Sequence, residues 1–223
     1  METLPAKHPW FARRFLLLMQ LLFRLVFLRF GAWIKVFGRR QVPRSGGLLV
    51  ISNHQSSADP PVVQIACSRV IHFLARRELL DIKHIRKFIM WWRIIPISQS
   101  SADRGAIKTA VALLKAGRCV GIFPEGQLAA DGKLQKILPG VAMILRLSKC
   151  PCVCVGLTDT RFVMPDETMV PRWSGRPITA NWGHAHQFDT NATTDEIVAW
   201  VKGQLESLTG QNETLNTSVV ENK

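Results

Sequence analysis

Tyrosine is absent from the 223-residue chain. Of the two aromatics that favour a membrane–water boundary, only tryptophan is left, in seven copies, and tryptophan fills cores as well. Acidic residues are scarce: 16 Asp and Glu face 29 Lys and Arg, a formal net charge of +13. A balance that basic argues against a cationic partner and for an anionic one: nucleic acid, an acidic membrane or a phosphorylated substrate. Cysteine is present in an odd number, five, with no His or Cys cluster at zinc-type spacing. Cys150, Cys152 and Cys154 alternate, which on a strand puts them on one face. They read as buried, reduced thiols, suited to a compartment facing the cytosol. Internal repeats and low-complexity tracts are also lacking.

The N-terminus lacks a clean membrane span. Residues 11–37 are strongly apolar, and the first part has no Gly or Pro to break a helix. A spanning helix needs about 20 apolar residues with few charges, and here Arg24 and Arg29 interrupt the run. There is no convincing small-residue cleavage site of the kind that ends a signal peptide. At about 100° per residue, Arg13, Arg14, Gln20, Arg24, Lys35 and Arg39 share a sector of roughly 120°, with Leu, Phe, Val and Met around most of the rest. A broad apolar face beside a basic stripe predicts a helix lying in the interface of an anionic membrane. A core helix with surface arginines and a true span are the alternatives. Gly31 and Gly38 permit a bend, giving two shorter helices.

Further along, apolar runs at 47–52, 70–74, 94–98, 119–123, 152–157 and 178–182 read as strands. Helical patterns fall at 78–92, 104–116, 140–148 and 194–208, and begin just after the turn NHQSSADPP. Alternation of this kind predicts an α/β fold with a mostly parallel central sheet flanked by helices. The expected organisation is a membrane-associated helical segment over 1–40, a catalytic domain over 41–208 and a disordered polar tail over 209–223.

Three places bear chemistry. His54 follows a strand, and His is the commonest general base near neutral pH. A carboxylate on its second ring nitrogen fixes the tautomer and stabilises the imidazolium. Asp59 is five residues on, and on one helix the two would stand about 140° apart, so they meet only if the segment turns. Asp59 before Pro60 also suits a helix N-cap. Phe123-Pro124-Glu125-Gly126 leaves a strand at the sheet edge where ligands usually bind. Arg104 sits at a helix start, where a bidentate guanidinium recognises phosphate; an ion pair with Asp103 is the plainer role.

The order of these pieces is what makes them specific. Asn53-His54 with Asp59, then Ile94-Ile95-Pro96 through Asp103-Arg104, then Phe123-Pro124-Glu125-Gly126, then Cys150-Pro151-Cys152-Val153-Cys154-Val155, resembles the lysophosphatidate (glycerophospholipid) acyltransferase family over about residues 40–185. The resemblance implies acyl transfer from acyl-CoA or acyl-carrier protein to a lysophospholipid hydroxyl. His54 would be the base and Asp59 its orienter. Arg104 would hold the acceptor phosphate, and Glu125, Gly126 and Asn53 would shape the acceptor site. Glu125 would bind a hydroxyl or position Arg104. Loop N–H groups would stabilise the oxyanion, and neither metal nor cofactor is implied. The family's usual Thr-Arg after the third block is Gln127-Leu128 here, which leaves an aminolipid or glycolipid acceptor open.

Two other functions compete. A nucleic-acid module fits the charge, but the basic residues concentrate in the apolar N-terminal segment, where Lys7, Arg13, Arg14, Arg24, Arg29, Lys35, Arg39 and Arg40 face only Glu2. A thioester hydrolase would use the same His–Asp pair with water. The expected location is the cytoplasmic face of a membrane, on an anionic lipid surface.

Overall fold

The computed structural model describes residues 10–77, 94–97, 103–129, 131–165 and 170–211. The expected helix over 78–92 and the tail after 211 lie outside the described residues. Seven strands form one sheet: β1 (Ile34–Phe37), β2 (Leu48–Ser52), β3 (Ile71–Arg76), β4 (Ile95–Ile97), β5 (Cys119–Ile122), β6 (Cys152–Thr158) and β7 (Ile178–Trp182). Their order is β1-β7-β6-β2-β5-β3-β4. Every pair is parallel except β6 with β7. The expected α/β class with a mostly parallel sheet is what the chain adopts.

The central strand β2 is buried on both faces along its whole length, as a parallel strand covered by helices on both sides must be. Alternate residues feed two cores. Leu48, Val50, Val153, Val155 and Leu157 pack under α1 (Trp10–Arg29) and α2 (Asp59–Ala66). Leu49, Ile51, Val120, Cys152 and Cys154 pack under α3 (Arg104–Lys115), α4 (Gly140–Ser148) and α5 (Thr194–Thr209). Cys152 and Cys154 therefore share a face, with Cys150 partly buried against the same core, and all five cysteines are free thiols.

The N-terminal segment departs from the expectation of continuous or bent helix. Helix α1 stops at Arg29 because Gly31 takes a left-handed conformation, φ +70°. Ala32 N–H then donates to Phe27 O at 2.9 Å and Gly31 N–H to Leu28 O at 3.0 Å, the paired closing bonds of a glycine-terminated helix. Beyond it Ile34–Phe37 extends as β1, in parallel register with β7 at the edge of the sheet. Lys35 therefore belongs to a strand and Arg39 to a short 3-10 turn (Arg39–Gln41), not to a helical stripe.

Gln20 also departs from that stripe. It is 7% exposed, and its amide donates to Gln64 O at 2.8 Å and Cys67 O at 2.9 Å. Together with buried Phe27 it turns one side of α1 toward α2. The opposite side carries Leu17, Leu18, Leu21, Leu22, Leu25 and Leu28, each more than half exposed, with Arg14, Arg24 and Arg29 exposed among them. Among the described residues no helix is long and apolar enough to cross a membrane.

Candidate active site

Parallel pairing brings two loops together. Ile51 of β2 lies beside Ile122 of β5, so the chain leaves the sheet at neighbouring points into Asn53-His54 and into Phe123-Pro124-Glu125. This is the carboxyl edge, where open parallel sheets bind ligands.

The first loop is tied from both sides. The Asn53 amide grips the end of β6, donating to Leu157 O at 3.0 Å and accepting from Leu157 N–H at 2.7 Å. Its side chain braces the loop against the sheet. His54 then faces Asp59, with Nδ1 2.9 Å from Oδ2. The five-residue gap closes because the chain turns before α2: Asp59 N–H donates to Ser56 O at 3.1 Å, and Oδ2 accepts the N–H groups of Gln55 (2.6 Å) and Ser56 (2.8 Å). The carboxylate thus looks back along the loop. The N-cap of α2 is Ala58, not Asp59. Asp59 is fully buried, while the His54 side chain keeps 20% exposure. Its ring stacks on Phe123 at 4.1 Å between centroids, and Phe123 stacks in turn on Phe73 at 5.7 Å. Nε2 makes no hydrogen bond among the described residues.

The second loop is closed by Glu125, 4% exposed. Oε1 accepts His54 N–H at 2.7 Å and Oε2 accepts Gln135 N–H at 2.7 Å. The expected partners were a substrate hydroxyl or Arg104. In the fold its two oxygens join two backbone segments. Burial pushes its pKa up, and the N–H groups of Gln135 and His54 offset part of that rise. Gly126 sits at φ +71°, a left-handed conformation that residues with a side chain rarely adopt, so the turn requires glycine. Ala129 N–H donates to His54 O at 2.8 Å, a second hydrogen bond between the loops.

Arg104 opens α3 and is exposed. Its neighbour Asp103 caps that helix, accepting from Ala106 N–H at 3.0 Å. Two residues that shape the site were not foreseen. Phe123 supports the imidazole face. Gln55 reaches under the loop to Leu157 O (3.1 Å) and Gly132 O (3.3 Å). Neither contact has a sequence signature, because each depends on which loops the sheet places side by side.

A buried carboxylate on Nδ1 and an open Nε2 make His54 able to accept a proton from a hydroxyl or water lying over the loop.

Several known proteins are similar to this chain. The 1-acyl-sn-glycerol-3-phosphate acyltransferase of Bacillus subtilis is 28% identical over 130 residues, covering 57% of this chain and 64% of that protein. The protein so named from Borreliella burgdorferi is 30% identical over 100 residues, covering 43% and 39%. The chain thus spans less than two thirds of the length of either curated relative. The solved 1-acyl-sn-glycerophosphate acyltransferase from Thermotoga maritima superposes with a TM-score of 0.74 at 21% identity, over 90% of this chain and 81% of that one, so the fold is shared. The acyltransferase family model matches residues 33–158, from the start of β1 through the end of β6, more than half of the chain and with both loops inside the match. The chain belongs to the acyltransferase family.

Proposed function

We propose that the chain moves a fatty acyl group from a thioester, acyl-CoA or acyl-carrier protein, to a hydroxyl of a lysophospholipid. The observation that carries this reading is the His54 imidazole, held at Nδ1 by a buried Asp59 and open at Nε2. Nε2 takes the acceptor hydroxyl proton while the oxygen attacks the thioester carbonyl, forming the new C–O bond. Asp59 stabilises the imidazolium that results. Collapse breaks the C–S bond, and the proton passes from Nε2 to the departing thiolate. Ester and free thiol are the products, and no acyl-enzyme forms.

Glu125 keeps the His54 main chain in place, and Asn53 ties the same loop to β6. Arg104, exposed at a helix start, holds the acceptor phosphate. Gln127-Leu128 in place of Thr-Arg removes one cation from the acceptor side, so aminolipid and glycolipid acceptors belong in the same assay.

The outward leucines of α1, with Arg14, Arg24 and Arg29, suit a helix lying in an anionic membrane surface, apolar side among the acyl chains and guanidiniums among phosphates. In this reading the enzyme works on a membrane as a peripheral or monotopic protein, and the free thiols suit its cytoplasmic face. Residues 41–208 form the catalytic domain in this reading, with β1 added to its sheet.

The test is incubation with labelled acyl-CoA or acyl-carrier protein and a panel of lysolipids, with mass spectrometry of the products. Wild type yields a diacyl product, and His54→Ala yields none while remaining folded. Near-normal transfer by His54→Ala overturns the assignment, and release of free fatty acid without acceptor shows a hydrolase.

A further inference from the structure

Among the described residues the most exposed large apolar side chain is not on α1. It is Trp173, 72% exposed, in the connection between β6 and β7. A lone exposed apolar residue needs no explanation, but this one is built into its place. Its indole lies on Gly31, where a Cβ would come within 2.8 Å of Cε2 and 2.9 Å of Cζ2. The next residue, Ser174, donates its N–H to Phe30 O at 2.9 Å. The glycine that ends α1 therefore also seats the ring, one turn from exposed Leu28.

Two cations neighbour it in the chain. Arg172 and Arg176 flank Trp173 and are exposed, the second resting on the Phe162 ring at 4.4 Å. The stretch 170–177 contains no acid, and Val170 is 60% exposed. An ordered tryptophan between two arginines, beside a leucine-faced helix with its own arginines, matches a headgroup layer that is apolar below and anionic above.

We propose that Val170–Arg176 is a second membrane-contacting element, forming with α1 one docking face for an anionic bilayer. This rests on the lipid-surface reading above and extends it to a separate part of the chain. The same connection is joined to the catalytic loop: Arg172 N–H donates to Val163 O at 2.7 Å, and Ser56 Oγ donates to Met164 O at 2.7 Å. Contact at Trp173 thus sets the height of the His54 loop over the lipid surface.

The experiment compares the full-length wild type with Trp173→Ala and with Arg172→Gln/Arg176→Gln. Vesicles of phosphatidylcholine with phosphatidylglycerol, or of phosphatidylcholine alone, serve as probes. Binding is read by sedimentation, and ring depth by quenching of tryptophan emission with brominated lipids. Trp173→Ala, whose side chain packs in no core, keeps its circular dichroism, binds anionic vesicles about tenfold more weakly and loses a share of the quenching. The double arginine variant loses the preference for anionic over neutral vesicles. Unchanged affinity and unchanged quenching in Trp173→Ala overturn the proposal. So does loss of a dimer in lipid-free buffer, which would assign the ring to a second copy of the chain. Because the readout is binding, absence of acyl transfer would count against the catalytic reading alone.

Discussion

Glu125 holds His54 by its main chain, Oε1 accepting the N–H at 2.7 Å while Oε2 takes Gln135 N–H from across the loop. The carboxylate is a clasp between two segments, one of which carries the imidazole. Glu125→Gln keeps one acceptor but turns an amide NH2 toward the other backbone N–H. One buried donor loses its partner, at a cost of about 1–3 kcal/mol. Turnover falls as the loop loosens.

The pH dependence of that clasp has a definite sign. Burial raises the Glu125 pKa in the folded chain. The folded state then keeps a proton that the unfolded state has already released, so wild-type stability falls as pH rises from the unfolded carboxyl value through the raised one. Glu125→Gln lacks this titration, so the stability difference between the two proteins shifts toward the variant as pH rises across that window. Urea unfolding of both proteins from roughly pH 4 to pH 8 measures it.

Asp59→Asn tests the charge separately from the geometry. Oδ2 accepts two backbone N–H groups, so the asparagine oxygen takes that position. The new NH2 falls where Oδ1 now sits, buried and without a partner among the described residues. The loop keeps its shape at a cost of about 1–3 kcal/mol. The imidazolium loses its counter-charge, and kcat drops by about 10²–10⁴-fold. Steady-state kinetics beside thermal unfolding separates the two effects.

Gly121→Ala acts through the aromatic column under the imidazole. A Cβ there would lie 2.5 Å from Phe73 Cδ1 and 2.7 Å from Ile71 Cγ2, both in the core. Phe73 must shift, and with it Phe123 and the His54 ring stacked above. The expected loss is about 1–3 kcal/mol of stability, with a fall in kcat larger than the fall in folded fraction. Activity normalised to folded protein checks it.

Leu21→Asp/Leu25→Asp puts two carboxylates on the outward side of α1, where both leucines are more than half exposed. The thermal midpoint stays near wild type because no core contact is removed. Sedimentation with anionic vesicles drops sharply, since the change removes apolar contact and adds repulsion.

Most of the sheet was legible because its strands are short apolar runs bounded by turn residues, and parallel burial leaves little else that such runs can be. GLLVIS and CVCVGL are examples. The start of the chain was legible only in part. Lys35 and Arg39 fit a helical wheel by coincidence of spacing, while the φ of Gly31 decided that the chain left the helix there. The pairing of His54 with Asp59 could be posed but not settled from spacing, because it needed the turn at Ser56 and two N–H donors on one oxygen. For Glu125 and Asn53 the position was legible and the partner was not. The bond from Glu125 to His54 and that from Asn53 to Leu157 span 71 and 104 positions of the chain, and nothing local encodes them.

Gln20 is a single amide in a greasy helix, bonded to two carbonyls at the end of α2. A cylinder fastened that way cannot roll about its long axis. Whatever surface meets α1 meets the same row of leucines each time, so the whole body lands in one attitude. On the proposed lipid-surface reading, the His54 loop then arrives already aimed.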